Sequence, residues 1–260
     1  MIEYIEKTKC RICNHKLIEL FSLGKLYISD FIPMDYKENP DDKVELCLML
    51  CEKCKLVQLK YTVHVDTLYK RPYWYHSGTN RTMSNQLKNI VDSVLNLNIL
   101  KSGDKWIDIG ANDGTLLKNV PKEFITIGID PIQDCRNKLE KICSVVINDY
   151  FSADILKPES IKVITSIAMF YDLDDPNKFV QDIYEVLTKD GLWILQLNYL
   201  PLMLMQNDFP TICHEHLCYY SLYTLNYLLK KHNFNIVDCE LTETNSGSIR
   251  LYIQKADYNN

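Results

Sequence analysis

The run Trp106-Ile-Asp-Ile-Gly-Ala-Asn-Asp-Gly-Thr-Leu-Leu117 restricts this chain more than any other stretch. A short apolar segment, Trp106 to Ile109, leads into a turn bounded by Gly110 and Gly114. Helix-forming residues follow from Thr115 through Val120. That order predicts a strand, a tight turn and a helix start, the unit whose carboxyl edge receives nucleotide-like ligands in open α/β sheets. The two glycines permit the sharp turn and a close approach of backbone to ligand. Asp108 falls at the strand end, where a carboxylate can meet a cationic amino group. A second apolar run, Phe124 to Ile129, ends in Asp130. Its offset from the glycine turn, about 20 residues, is the one at which an acid holds ribose hydroxyls.

The turn departs from the G-x-G-x-x-G pattern, because Asn112 and Asp113 fill its middle. An acidic loop repels a pyrophosphate, which disfavours NAD. A ligand with a ribose, an adenine and a positively charged amino acid end fits better, and that ligand is S-adenosylmethionine (SAM). Asp108, Gly110, Asn112, Gly114 and Asp130 are the expected cofactor-binding residues. Asp149 joins them, since the aromatics Tyr150 and Phe151 follow it and the group can reach an adenine.

The α/β pattern continues beyond this unit. Strands are predicted at 144–148, 161–166 and 192–197, with helices at 131–141 and 175–187 and a turn at Lys189-Asp-Gly191. A helix at 222–231 precedes strands at 234–241 and 248–254, read as an antiparallel pair that closes the sheet. Alternating strands and helices predict a mostly parallel, Rossmann-like sheet covered by helices.

Upstream, Cys10-Arg-Ile-Cys13 and Cys51-Glu-Lys-Cys54 form two C-x2-C knuckles. Four thiolates from two tight turns make the tetrahedral set of a structural zinc site, with no open position for catalysis. The long gap between the knuckles implies an inserted hairpin or loop containing Pro33, Pro40 and the polar run Lys37 to Lys43. Strand-length apolar runs, Val44 to Leu50 and Leu56 to Tyr61, flank the second knuckle. The organisation read from these signals is a zinc-binding module over residues 1–70, a substrate-lining loop and linker helix over 71–100, and a SAM-binding domain over 101–260. In the linker, Arg71-Pro-Tyr-Trp-Tyr-His-Ser-Gly-Thr79 is crowded with aromatic and hydroxyl groups, as a polar pocket wall is. Apolar residues at helical spacing follow from Thr82 to Leu100.

Composition narrows the partners. A net charge of -5 argues against a nucleic-acid partner. An apolar fraction of 47% is sufficient for a sizeable core. No apolar run reaches membrane-spanning length, and the mixed, charged start Met1-Ile-Glu-Tyr-Ile-Glu-Lys7 is unlike a signal peptide. A cytoplasmic protein with no membrane partner is expected, and its ten cysteines are then thiols or metal ligands.

The second candidate cluster is Cys213-His-Glu-His216. It is not H-E-x-x-H, so both imidazoles cannot share one helical face around a metal. A histidine beside a carboxylate is a candidate general base, the acid orienting the ring and raising its basicity. Further on, Asn245-Ser-Gly-Ser-Ile-Arg250 is polar and flexible enough to bind a ligand, and Arg250 is the residue there suited to an anionic group.

Taken in order, the zinc knuckles, Tyr73-Trp-Tyr-His-Ser-Gly-Thr79, Asp108-Ile-Gly-Ala-Asn-Asp-Gly114, Ile167-Ala-Met-Phe-Tyr-Asp-Leu173, Cys213-His-Glu-His216 and Asn245-Ser-Gly-Ser248 resemble the SAM-dependent sugar C-methyltransferases. The resemblance runs over almost the whole chain. It implies a class I methyltransferase sheet, SAM as cosubstrate, structural zinc on Cys10, Cys13, Cys51 and Cys54, and a ketosugar or nucleotide-sugar acceptor. It implies His216 as base with Glu215 beside it, and Tyr73, Tyr75 and Tyr219 as catalytic hydroxyls. His76, Ser77, His214, Asn245, Ser248 and Arg250 are the expected substrate-binding residues. The chain departs from the family in stopping soon after Ile253-Gln-Lys255, where members usually continue into a further α/β domain, and in carrying Cys213 where some relatives have tyrosine. Transfer to oxygen of a surface-polysaccharide precursor and a non-catalytic SAM-binding partner protein are the alternative readings.

Overall fold

The structure is a computed structural model and describes residues 2–29, 35, 37, 39–69 and 75–258; the statements below concern these residues. The first elements are β1 (Tyr4–Glu6), β2 (Leu17–Tyr27), β3 (Lys43–Cys51), β4 (Val57–Leu59), β5 (Tyr61–Val63) and α1 (Val65–Tyr69). The insertion between the knuckles is a long hairpin, β2 pairing antiparallel with β3. The sequence pattern does not mark the β2 arm. Its side chains are mostly exposed, so it lacks the alternation of a half-buried strand.

The linker helix α2 (Arg81–Asn96) begins one residue earlier and ends four earlier than its apolar pattern predicts. Asn80 caps it by accepting from the backbone N–H groups of Thr82 and Met83. Asn98, in the left-handed region at φ 52°, lies just beyond its end.

The large sheet combines β6 (Lys105–Ile109), β7 (Ile125–Ile129), β8 (Val145–Ile147), β9 (Ile161–Ile167), β10 (Leu187–Asn198), β12 (Phe234–Thr242) and β13 (Ser248–Lys255). Among the described residues its order is β12-β13-β10-β9-β6-β7-β8. Pairing is parallel from β10 through β8, while β13 runs antiparallel to both β10 and β12. This is the predicted Rossmann-like sheet with its antiparallel closing pair. Helices α3 (Gln133–Leu139), α4 (Pro176–Val186) and α6 (Leu222–Lys231) agree with the apolar periodicity, and α5 (Leu200–Gln206) is additional.

Two local expectations are corrected. The helix start after the glycine turn is a single 3-10 turn, Leu117–Asn119. Pro121 follows Val120, and a residue before proline is pushed out of the helical region, so no further turn can be added. The turn at Lys189-Asp-Gly191 does not precede β10. It is absorbed within that strand as an irregularity in the pairing with β9, between Leu187 and Leu192.

The N-terminal segment is bound into the rest of the fold. Its sheet has the order β11-β4-β3-β2, and β11 (Cys218–Tyr219) comes from the distant Cys213–His216 region. Asn177 and Lys231 donate to the carbonyls of Arg11 and Ile12 inside the first knuckle, at 2.7 and 3.0 Å. One continuous core contains Cys10, Ile12 and Leu56 together with Trp193, Leu225 and Phe234. No helix among the described residues is long and apolar enough to cross a membrane.

Candidate active site and zinc centre

At the carboxyl edge of β6 and β7 the chain leaves a cavity of about 260 Å3. Asp108, Ile109, Gly110, Ala111 and Asn112 form one side of it, and Asp130 to Ile132 the next. The short β8 delivers Asp149, Tyr150 and Phe151 to the same wall. Gly110 sits at φ 71°, a conformation costly for any residue with a Cβ, and an added Cβ would lie 3.1 Å from Met169 Cγ. The backbone therefore turns closely past the cavity.

The two acids that face this end are held differently. Asp108 is 4% exposed and accepts from Thr165 Oγ1 at 2.7 Å. Burial pushes its carboxyl up to about 7; the Thr165 hydroxyl opposes the shift and the neighbouring Asp130 adds to it. Burial also raises Asp130, against the pull of two backbone N–H groups, Ile132 at 2.8 Å and Asn112 at 2.7 Å. A buried acid at this position is stabilised by a cation, and the ammonium of SAM's amino acid end is such a group.

The glycine turn also fastens the aromatic loop. The Asn112 side chain accepts from Ser77 N at 3.0 Å and donates to the Tyr75 carbonyl at 3.0 Å. Asp113 accepts from Gly78 N at 2.9 Å. Tyr75 and Ser77 thereby reach the cavity wall, with Val65 and Tyr69 of α1 and Met83 and Leu87 of α2 beside them. Ala168 and Met169, from the segment after β9, pass beside Gly110, and Asp172, Leu173 and Asp174 of the same segment continue the wall to its far end beside Tyr69.

Of the residues expected at the site, Asp108, Gly110, Asn112, Asp130, Asp149, Tyr75 and Ser77 line this cavity. Tyr73 lies outside the described residues. Gly114 is not on the wall. Its φ is 78°, and a Cβ added there would lie 2.9 Å from Ile142 Cδ1, so its role is in the turn and in packing. His76 is also off the wall, with Nδ1 buried and unpartnered.

The Cys213–His216 loop stands behind the far end. His216 packs against Tyr171, ring centroids 4.3 Å apart, and Tyr171 directly precedes the wall residue Asp172. Its Nδ1 lies 2.7 Å from the Thr211 carbonyl. A carbonyl only accepts, so Nδ1 carries the proton and Nε2 is the basic nitrogen. Burial lowers the ring to about 4, outweighing the carbonyl contact. The expectation that Glu215 orients this ring is therefore corrected, because the Thr211 carbonyl does so. Tyr219 is buried, its hydroxyl has no partner, and burial raises it well above the phenol range.

Four further expectations are corrected. His214 faces away from the cavity, with Nε2 3.0 Å from the Val44 carbonyl of β3. Arg250 is fully buried, with Nε and Nη1 engaged by Gln196, Asn89 and Glu240 at 2.8 to 3.0 Å and Nη2 enclosed without a partner, and it does not line the cavity. Ser248 is buried and donates to the Thr244 carbonyl, while Asn245 sits in a 3-10 turn away from the cavity wall.

The four knuckle cysteines converge as their spacing predicts. All four Sγ atoms lie within 4.8 Å of one another. The contacts cross between knuckles, Cys10 to Cys54 and Cys13 to Cys51, each at 3.4 Å, and all four are free thiols. An ion with Zn–S bonds of about 2.3 Å fits at the centre of such a tetrahedron. The hydrogen bond between Cys10 and Cys54 lowers Cys10 and raises Cys54, so in the absence of an ion one proton is held between the two sulfurs, and a bound metal would replace it.

A family model described as "Methyltransferase domain" matches residues 80–238. The chain belongs to the methyltransferase domain family. A second model, described as "Putative zinc binding domain", matches residues 10–69, the span that holds the four cysteines. Among curated proteins the chain is similar to the C-methyltransferase NovU of Streptomyces niveus, 23% identical over 256 residues, which are 95% of this chain and 61% of that protein. The chain thus spans about three fifths of that relative's length. A SAM-dependent methyltransferase of Leishmania major matches 68% of this chain and 75% of its own, with 14% identity and a TM-score of 0.54. The 1,6-didemethyltoxoflavin-N1-methyltransferase of Burkholderia thailandensis matches 69% and 80%, with 12% identity and a TM-score of 0.53. At these identities the structural matches establish the fold, which is that of SAM-dependent methyltransferases. The family is thus a methyltransferase family, the fold is that of SAM-dependent methyltransferases, and the four cysteines that could hold a zinc ion lie within the zinc-binding match.

Proposed function

We propose that the protein transfers the methyl group of SAM to a carbon of a ketosugar, free or nucleotide-linked, after His216 removes a proton from the carbon next to the ketone. The observation that carries this reading is the state of His216. Burial favours its neutral form, its Nδ1 proton is committed to the Thr211 carbonyl so that Nε2 is the unprotonated nitrogen, and its ring packs on Tyr171, the neighbour of the wall residue Asp172. The C-methyltransferase relative supports carbon as the site of transfer.

In this reading Asp108 meets the ammonium of SAM and Asp130 its ribose, while Asp149 with Tyr150 and Phe151 borders the adenine. SAM supplies the electrophilic methyl. The acceptor occupies the end walled by Tyr69, Tyr75 and Met169, and Tyr75 and Tyr219 offer hydroxyls to the oxygen on which charge develops. Tyr73, Ser77 and His76 belong to the loop beside it.

His216→Ala is expected to bind S-adenosylhomocysteine as the unchanged protein does and to form no methylated product from labelled SAM and a host metabolite extract. Product formed by the variant at an undiminished rate refutes the assignment of the base. NMR of the product separates a new C–CH3 from a new O–CH3. Because His216 is held near 4, the rate at saturating SAM should remain level from about pH 5 to neutrality and fall only below that.

A further inference from the structure

The far end of the cavity contains a carboxyl group to which the reaction proposed so far gives no role. Asp172 ends the 3-10 turn Phe170–Asp172 and lines the cavity. Its Oδ1 is shut off from solvent and has no hydrogen-bond partner. Buried polar atoms are nearly always paired, so an enclosed carboxyl oxygen left without a partner disfavours the charged form of the group.

The turn that holds Asp172 has little freedom. Phe170 packs on Trp193, Phe179 and Tyr220, with centroids 5.3 to 6.0 Å away. Tyr171 packs on the candidate base His216 at 4.3 Å. The candidate base and the carboxyl group are therefore carried on adjoining supports, joined through Tyr171. The titratable groups around the carboxyl are Glu215, Cys213, Tyr219 and Tyr69. None of them is a cation, and a buried carboxylate without one is disfavoured. Burial raises Asp172 well above the usual carboxylate range, and the Glu215 charge raises it further; the Tyr69 hydroxyl opposes both. A neutral carboxylic acid has a proton to donate.

We propose that Asp172 is a catalytic residue, whose carboxyl group holds a proton and donates it from the cavity wall as a hydrogen bond to the carbonyl oxygen of the acceptor. The proposal rests on the reading of the acceptor as a ketosugar. His216 Nε2 takes the proton from the carbon next to the ketone. The C–H electron pair forms a carbon–carbon double bond, and the carbonyl π pair moves onto oxygen, where the Asp172 O–H stabilises it. The carbon then attacks the methyl carbon, the bond from methyl to sulfur breaks with its pair staying on sulfur, and the C=O bond re-forms. Methylated ketosugar, S-adenosylhomocysteine and one proton, carried off by His216, complete the balance. A carboxyl kept protonated in an apolar pocket to stabilise an enolate oxygen has a precedent in ketosteroid isomerase.

Infrared spectroscopy of the full-length protein at neutral pH, comparing it with Asp172→Asn, reads the proton directly. A protonated-carboxyl C=O stretch that Asp172→Asn removes is expected, and the absence of that band overturns the proposal. Turnover is read with labelled SAM and a host metabolite extract. Asp172→Leu, which cannot donate, should lose roughly 10²–10³ in rate, the effect of removing one oxyanion donor. Asp172→Asn keeps an N–H donor and should retain most of the rate. It should also lose the decline on the alkaline side that ionisation of Asp172 gives the unchanged protein.

Both variants should bind S-adenosylhomocysteine normally. A merely structural role would instead lower that affinity and spare the shape of the pH profile, and this result overturns the proposal. Labelling that Asp172→Leu leaves intact removes Asp172 and spares the ketosugar reading. An unchanged protein that labels nothing in the extract removes that reading, and this proposal with it.

Discussion

The two ends of the cavity are built in opposite ways. The cofactor end is local: Asp108 through Asn112 lie in one turn, and Asp130 follows on the neighbouring strand. The end proposed for the acceptor is assembled from α1, the loop at Tyr75 and the turn after β9, with the Cys213–His216 loop packed behind Tyr171, and these are far apart in the chain. One end needs only a strand, a glycine and an acid. The other exists only when the zinc module, the large sheet and β11 are in register. Damage to the global fold should therefore fall on the acceptor end, and damage to single side chains should show most clearly at the cofactor end.

Metal removal should separate the two ends most strongly. Structural zinc sites contribute about 10–16 kcal/mol of apparent binding free energy. Here the knuckles carry the carbonyls that bind Asn177 and Lys231, and β4 pairs with β11. Chelation, or Cys51→Ser, should abolish cooperative melting of the N-terminal segment and loosen the His216 loop. Hydrogen exchange should report lost protection at Cys218 and Tyr219 while β6 and β7 stay protected. Equal loss across both sheets would show that the ends are not independent.

Next in size is Asp108→Ala. Loss of a charge-assisted contact to the ammonium should weaken S-adenosylhomocysteine by about 1.5–3 kcal/mol in calorimetry. The pH dependence has a definite sign. Asp108 is raised from its ordinary 3.8 to about 7 in the folded protein. Its protonated form is therefore favoured by folding, and its contribution to the stability of the ligand-free protein falls as pH rises from about 4 to about 7. Ligand affinity runs the other way, rising by up to about tenfold per pH unit below 7 and levelling above it. Asp108→Asn should remove both slopes. An affinity that is flat with pH in the unchanged protein would refute the ion-pair assignment.

The same contrast governs which residues are legible in the sequence. Asp108, Gly110 and Asp130 are legible because a strand end, a left-handed turn and the next strand end occur at fixed offsets along the chain. The zinc set is legible for the same reason. Asp172 sits within the run Ile167 to Leu173, and an acid in an apolar stretch after a strand is the available signal. Its role depends on burial beside Glu215 and Tyr69, which no local spacing encodes. Arg250 and His214 mislead because a polar residue in a polar run looks like a ligand contact. The fold turns them toward Glu240 and the Val44 carbonyl instead.

Glycine substitutions sharpen the comparison at smaller amplitude. Gly110 and Gly114 are both left-handed, at φ 71° and 78°. Alanine at either should cost about 1–2 kcal/mol of stability, the strain of that backbone conformation. Gly110 lies on the cavity wall and Gly114 packs toward Ile142 and Leu139. Gly110→Ala should then weaken S-adenosylhomocysteine as well as lower the melting temperature, whereas Gly114→Ala should lower the melting temperature alone. Weakened binding in both would return Gly114 to the ligand site.

The smallest effect tests whether the cofactor end depends on anything beyond its own turn. Thr165, on β9, donates to Asp108 Oδ1 at 2.7 Å and is fully buried. Thr165→Val keeps the shape and removes the hydrogen bond. One net hydrogen bond of about 1 kcal/mol corresponds to roughly a fivefold loss of affinity. The loss should not be uniform with pH. Without the hydroxyl that favours its charged form, Asp108 ionises only at a pH above about 7, so the midpoint of the affinity curve moves upward. At sufficiently alkaline pH the variant should regain part of the lost affinity. A fivefold loss that stays constant across the range would mean that Thr165 supports the wall by packing, and that Asp108 is set by its own strand alone.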